Sequence, residues 1–296
     1  MNYYNEIKKE LIDNEINKKI KDYSKNNYEL IKYLTVGKLL NQAGKKYGEG
    51  VIEKYSKKLE YEVGKKYNKS TLFKIKKFYL VFSNQKVAPL VPQLCWSHCL
   101  ILLPLKDINA INYYILQIVN RNLSKRQLIE IVKNNEYERL DENTKNKLKN
   151  HKEMILTDFV KNPIIIRNKN NYKNISEKIL QKLILEDIEY FMKELGNGFS
   201  FIGSEYKIKI ANTYNYIDLL LYNIKYHCYV VIELKVTDLN YNHTGQIQNY
   251  MNYIDKNIKD ITDNDTVGII ICKKNNEYII EYCSDSRIIS RSYELV

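Results

Sequence analysis

Glu233 and Lys235 stand two residues apart at the end of an apolar run, "YVVIELKVTD", and Asp218 stands inside the run before it, "YIDLLLY". A lone carboxylate or ammonium at the end of a buried strand is costly to desolvate and needs a partner. Side chains alternate across a strand, so Glu233 and Lys235 point to one face. The two runs are spaced for a hairpin turning around residues 223–226, which sets Asp218 opposite a residue close to Val231. That is the same face, within reach of an ion shared with Glu233. Two hard oxygen donors this close suit Mg²⁺ or Mn²⁺, completed by water and a substrate phosphate. An ammonium beside them can serve the attacking hydroxide or the charge developing on the phosphoryl oxygens. The chemistry in view is metal-assisted phosphodiester hydrolysis. The plainer reading is an ion pair at the rim of a sheet, and Glu233 with Lys235 alone does not separate the two.

The elements that must position these residues are legible on either side. "FSFIGSEYKIKI" reads as a strand ahead of the hairpin, and residues 175–195 read as one long amphipathic helix stopped by Gly196. After the hairpin, "TGQIQNYMNYIDKNI" places Ile247, Met251, Ile254 and Ile258 on one helical stripe. Gln246 and Tyr250 are i, i+4 neighbours along the edge of that stripe, where side chains line a cleft. "VGIIIC" then predicts a buried strand parallel to 229–234, completing a βαβ crossover, and "YIIEYC" reads as one more strand-like run. The expectation is a small mixed sheet flanked by helices.

The first half is helical and basic. Of the net +12, residues 1–150 hold 29 Lys/Arg against 16 Asp/Glu, while residues 151–296 hold 18 against 19. The excess is densest over 31–106, with 15 basic and four acidic residues. A basic half joined to a neutral one predicts a polyanion-binding module attached to something else. "EGVIEKYSKKLEYEVGKKY" carries an apolar stripe of Val51, Ile52, Tyr55, Leu59 and Val63. Ser70 is placed to cap the next helix, "TLFKIKKFYLVF". Two helices joined by a short turn, the second one basic, are compatible with a helix-turn-helix reader, and equally with a lysine-coated face of a bundle. The lysines assigned to nucleic acid are Lys54, Lys57, Lys58, Lys65, Lys66, Lys69, Lys74, Lys76 and Lys77. Further helices are expected at 96–103, 108–119 and 125–134. The helical half runs out in "ENTKNKLKNHKEM", and "KNPIIIRNKNNYKN" reads as a linker.

Five cysteines at irregular spacing do not form a disulfide framework. In "CWSHC", His98 and Cys99 would point about 100° apart on a helix, so packing is favoured over zinc. Cys228, Cys272 and Cys283 read as small apolar fillers, and His227 and His243 as structural neighbours of the site. The N-terminal stretch lacks the apolar core of a signal peptide, and no run is long enough to span a bilayer. The expected compartment is the cytoplasm, with no membrane partner.

"IDLLLYN…YVVIELK", with Asp218, Glu233 and Lys235, resembles the PD-(D/E)XK nuclease signature, and Gln246-x-x-x-Tyr250 resembles the QxxxY motif of its RecB-like branch. Both halves, from about Thr35 onward, are similar to the YhcG-like family of bacterial proteins. The matching text is "SKKLEYEVGKKYNKSTLFKIKKFYLVF", "CWSHCLILL", "ELGNGFSFIGSEYKI", "GQIQNYMNYID" and "VGIIICK". The resemblance implies an α + α/β chain: a basic helical domain over 1–160, a linker over 161–176, and a restriction-endonuclease-like mixed sheet over 177–296. It implies a DNA nuclease using Mg²⁺ or Mn²⁺, held by Asp218, Glu233 and the Leu234 carbonyl. Lys235 would assist the water, Gln246 would contact phosphate, and Tyr250 would support Gln246. DNA is the expected partner, and a homodimer is left open. One departure stands out: Gln181 falls where such nucleases commonly carry a helical acid, with Glu177 and Glu186 nearby. That departure keeps an alternative open, a catalytically inactive DNA-binding or assembly protein on a nuclease scaffold. A nuclease acting on RNA is also left open.

Overall fold

The computed structural model describes residues 2–19, 28–48, 50–84, 88–150, 152–283 and 285–296, which divide into two compact units, Met1–Tyr137 and Glu138–Val296.

The first unit is helical: α1 (Tyr3–Lys19), α2 (Tyr28–Tyr47), α3 (Gly50–Glu62), α4 (Lys69–Phe82), α5 (Trp96–Leu102), α6 (Ile108–Arg121) and α7 (Lys125–Lys133). The stripe expected on α3 buries Ile52 and Leu59 completely and half-buries Val51, Tyr55 and Val63. The cap of α4 is Asn68 rather than Ser70: its side chain accepts from the Thr71 amide at 3.0 Å. Asn68 takes the role because the chain is still extended there, while Ser70 already lies inside the helix. On α2, a Cβ at Gly37 would lie 2.6 Å from the Ile75 carbonyl oxygen, so α2 and α4 approach backbone to backbone at that point. Trp96 packs edge-on against Tyr33 and Phe78. In the same segment Cys99 is fully buried while Cys95, at the helix cap, is exposed.

The second unit opens with α8 (Glu142–Lys149), within the stretch whose polarity suggested the end of helical structure; Asp141 caps it by accepting from the Thr144 amide. It continues with β1 (Ile164–Ile166), α9 (Glu177–Glu186), α10 (Ile188–Leu195), β2 (Phe199–Ile210), β3 (Thr213–Asn223), β4 (Cys228–Leu234), α11 (Tyr241–Asn257), β5 (Asn264–Cys272), α12 (Glu277–Glu281) and β6 (Ile288–Leu295). The six strands form one mixed sheet in the order β1-β6-β5-β4-β3-β2. β2, β3 and β4 are antiparallel neighbours, whereas β4–β5, β5–β6 and β6–β1 run parallel. The parallel pairing of β4 with β5 across α11 is the crossover read from the apolar runs.

Both faces of the central strands are covered. Val230, Ile232 and Leu234 of β4 join Leu180, Leu183, Phe191 and Leu195 in one core, under α9 and α10. Val231 joins Ile247, Tyr250, Met251 and Ile254 in the other, under α11. Gly268 fits this layer: a Cβ there would sit 2.5 Å from the Met251 sulfur and 3.0 Å from Ile247 Cδ1.

Four local expectations change. Residues 161–176, read as a linker, contribute β1, which is bonded to β6 and to α10. Ile164–Ile166 pair with Tyr293–Leu295, the Ile165 amide donates to Glu194 Oε1 at 3.1 Å, and Asn162 Oδ1 accepts from the Ser292 amide at 3.0 Å. Three isoleucines between polar neighbours are too short a run to signal a strand by periodicity. The helix over 175–195 is broken at Asp187, whose carboxylate is held by Arg167 at 3.1 Å and Lys169 at 2.7 Å. "YIIEYC" forms α12 rather than a strand, burying Ile279 while Tyr278 and Tyr282, four apart, stay exposed. The last strand is instead the half-polar "IISRSYEL" of β6.

Candidate active site

The hairpin between β3 and β4 is set by Asn223, fully buried, whose side-chain oxygen accepts from the Lys225 and Tyr226 amides at 3.0 and 3.1 Å. Its register pairs Leu219 with Ile232 and Leu220 with Val231. Asp218 is therefore level with Glu233, two residues closer to it than the sequence spacing suggested. Where the strands part, Asp218 Oδ2 accepts the Leu234 amide at 2.8 Å. Through its N–H, Leu234 thus fixes the Asp218 carboxylate.

Glu233 follows Val231 onto the α11 side of the sheet and is 1 % exposed. One oxygen, Oε2, takes the Lys235 ammonium at 3.2 Å; the other, Oε1, is buried with no hydrogen-bond partner. Burial, and next the Asp218 charge, push Glu233 up to about 7 against the pull of Lys235. Burial also raises Asp218, opposed by the Leu234 amide and Lys235 and reinforced by Glu177 and Glu205. For Lys235, burial works against the ammonium, yet Glu233, with Glu177 and Asp218 behind it, holds it above its ordinary range. Two carboxylates and an ammonium thus share one corner of the sheet, with Glu233 buried and Asp218 and Lys235 half-buried.

The neighbouring helices frame that corner. Glu177, in the first turn of α9, reaches to 3.9 Å from Lys235, and its side chain is nearly half exposed. One turn on, Gln181 is buried and donates its amide to the Asp218 backbone carbonyl at 2.9 Å. Glu186 lies at the far end of α9, bound by Asn170 at 2.9 Å and Lys182 at 3.9 Å. Of the three candidates for the helical position, Glu177 is the one beside Lys235, and Gln181 positions the backbone of β3. On α11, Gln246 donates to the Tyr250 hydroxyl at 3.0 Å; Tyr250 is buried and Gln246 half-buried. Among the described residues this pair is bonded to itself and not to the carboxylates. Its helix nevertheless starts beside them: burial, and then the charge of Lys235, lower the His243 imidazole in the first turn of α11.

Sequence reasoning missed Glu205. It interrupts β2 in the left-handed region, at φ 45°, is exposed, and acts electrostatically on Asp218. No periodicity or spacing marks such a residue. In the first unit, Lys54, Lys57, Lys58, Lys65, Lys66, Lys69, Lys74 and Lys77 are exposed and Lys76 is half-buried. Among the described residues, Lys69 at 2.7 Å and Lys57 at 3.9 Å meet Glu53, and Lys66 meets Glu15.

A cation fits the corner on two grounds: an orphaned, buried carboxylate oxygen on Glu233, and a donor set of hard oxygens. Among the described residues no three His, Cys, Asp or Glu form a ready-made cage. No helix among the described residues is long and apolar enough to cross a membrane.

Comparison with known proteins agrees with this layout. Residues 157–294 match the YhcG PDDEXK nuclease domain, and residues 7–139 match the DUF1016 N-terminal domain. The protein of Escherichia coli (strain K12) named "Putative nuclease YhcG" is 24% identical over 177 residues, covering 58% of this chain and 47% of its own length. The chain therefore spans about half the length of that relative. Among solved structures, a repair endonuclease from Pyrococcus abyssi is similar over 43% of this chain and 49% of its own, at 18% identity and a TM-score of 0.29. A complex titled EndoMS-dsDNA2 is similar over 43% of this chain and 48% of its own, at 16% identity and a TM-score of 0.29. At these scores the structural likeness carries no argument of its own.

Proposed function

We propose a function from the premise that the chain belongs to the YhcG PDDEXK nuclease family, with a DUF1016 N-terminal domain ahead of the nuclease domain: it hydrolyses phosphodiester bonds of DNA at the Asp218–Glu233–Lys235 corner. The observation that carries the reading is the buried, unpaired Oε1 of Glu233 next to a second carboxylate and an ammonium.

A divalent ion, Mg²⁺ or Mn²⁺, held by Asp218, Glu233 and the Leu234 carbonyl would supply Lewis-acid polarisation of the phosphate and an acidified water. The chain's own groups do the rest. Gln181 and the Leu234 amide fix Asp218 from two sides, so its carboxylate is positioned before substrate arrives. Lys235 stays an ammonium and offers its protons to the attacking oxygen and the developing phosphoryl charge. Gln246, steadied by Tyr250, lines the approach from α11 and contacts substrate phosphate. The lysines of α3 and α4 attract the backbone as a salt-sensitive grip.

Purified protein is assayed on DNA with Mg²⁺, Mn²⁺ and chelator, alongside Glu233→Ala and Lys235→Ala. Cleavage is expected only with metal, with losses on the order of 10²–10⁴-fold in either variant while the fold persists. Undiminished cleavage by both variants refutes the assignment. A second reading has one observation in its favour: Gln181 occupies the helical position as an amide engaged with backbone, leaving Glu177 as the acid that α9 brings near Lys235. On that reading the chain binds DNA on an inactive scaffold, and no metal supports cleavage.

A further inference from the structure

The β2–β3 hairpin extends beyond the corner just described. From Tyr206 to Ile217 it carries Lys207 and Lys209 and no carboxylate. Register places Lys207 directly across from Tyr216 and Lys209 across from Tyr214, so all four side chains share one face. The opposite face carries Tyr206, Ile208 and Ile217 into the core beneath α11; Leu220, of the other parity, joins the same core, so the strand turns its faces over across Asp218, beside the left-handed Glu205. The shared face is open: Tyr214 is 54% and Tyr216 52% exposed, and both lysines are exposed. The Lys207 ammonium lies over the Tyr214 ring at 3.9 Å from its centroid, with the Lys209 ammonium at 5.8 Å.

An exposed tyrosine is ordinary. Two tyrosines with two lysines, alternating on one face and leading along β3 toward Asp218, are a specific arrangement. Tyr216 is two residues and Tyr214 four residues from Asp218. At ~3.3 Å per residue they stand roughly 7 and 13 Å from it along the strand. That matches the needs of a single strand of nucleic acid: ring faces for unpaired bases and cations for the backbone between them. A paired duplex offers its phosphates but no free base faces, so the rings would contribute little to holding one.

We infer that this face of the hairpin, Lys207, Lys209, Tyr214 and Tyr216, is a binding track for single-stranded DNA that leads to the Asp218–Glu233–Lys235 corner. The inference rests on the nuclease reading for the direction of the track, and it adds a substrate class: DNA with an unpaired segment. The basic helices of the first unit remain a separate, sequence-independent grip.

The test uses the full chain in chelator, with a labelled oligothymidylate, the matching duplex, and an oligouridylate of equal length. Tyr214→Ala with Tyr216→Ala is expected to weaken single-strand binding on the order of 100-fold, about tenfold per stacked base. Duplex binding should change less than about twofold. Phe at both positions should restore single-strand affinity, because the ring is what stacks. Lys207→Ala with Lys209→Ala should lower the single-strand salt slope by about 1.4. Unchanged single-strand affinity in the double Ala variant overturns the inference. So does an equal loss on single strand and duplex, or binding of the RNA oligomer alone. A parallel cleavage assay keeps the two readings apart. Metal-dependent cleavage with binding indifferent to the tyrosines leaves the nuclease standing and removes the track. Tyrosine-dependent single-strand binding without cleavage under any metal does the reverse.

Discussion

Replacing Glu233 by Gln should make the metal-free protein more stable at alkaline pH. Gln keeps the shape of the protonated acid and cannot ionise at this buried position. In the fold, Glu233 is raised from the ordinary 4.5 to about 7, burial being the main cause and Asp218 the next. A group whose folded value lies above its unfolded one contributes its full stability below the unfolded value. That contribution is lost as pH rises through the folded value. At 1.36 kcal/mol per pH unit, the interval between 4.5 and 7 amounts to about 3 kcal/mol by pH 8.5. The wild-type chain carries that penalty and Glu233→Gln does not. Urea unfolding in chelator, followed at pH 4 and pH 8.5, reads the difference. The two proteins should match at pH 4. At pH 8.5 the variant's transition in the second unit should shift upward by about 3 kcal/mol. Mn²⁺ should then stabilise the wild type and leave the variant unmoved, because ligand binds the native carboxylate pair alone. Equal stability at pH 8.5, or a less stable variant, refutes the claim that Glu233 is held as a buried carboxylate waiting for a cation.

Three further outcomes follow from other contacts. Gln181→Ala removes the donor to the Asp218 carbonyl; it should cost about 1–2 kcal/mol by denaturant midpoint and slow cleavage about tenfold by loosening Asp218. Gly268→Ala drives a methyl into Met251 and Ile247. It should cost roughly 1–3 kcal/mol, with part recovered when Met251 is shortened in the same chain, as a double-mutant cycle measures. Lys65→Ala, Lys74→Ala and Lys77→Ala together should lower the duplex-binding salt slope by about 2.7. The same count of changes that includes Lys57 and Lys69 should lower it less, because Glu53 already occupies both.

What the sequence revealed follows from which forces act locally. Asp218, Glu233 and Lys235 were legible because charges inside Val- and Ile-rich runs violate burial, and the violation has to have a reason. Register refined them: Asn223 holds the turn so that Asp218 stands level with Glu233, a detail no count of spacing supplies. β1 and β6 escaped notice for opposite reasons. Three isoleucines are too few to show a period, and "IISRSYEL" is half polar because it is buried by its neighbours rather than by its own composition. "YIIEYC" misled because a five-residue helix and a strand look alike over so short a span. Gln181 looked like a loss at an acidic position; its hydrogen bond to the Asp218 backbone gives it a structural task that spacing alone does not show.

The strand order also governs how this unit can be made. Among the described strands, β1, at residues 164–166, has its neighbour in β6, at residues 288–295, which also closes the free edge of β5. A ribosome adding roughly 5–20 residues per second exposes β1 for on the order of 10 s before its partner exists. During that interval the β2–β3–β4 meander can form from neighbouring residues, and once β5 is made its apolar edge, "VGIIIC", stays unpaired until β6 follows. Nascent chains stalled before residue 288 should therefore be the ones that aggregate or recruit chaperones, and release from that state should coincide with synthesis of β6.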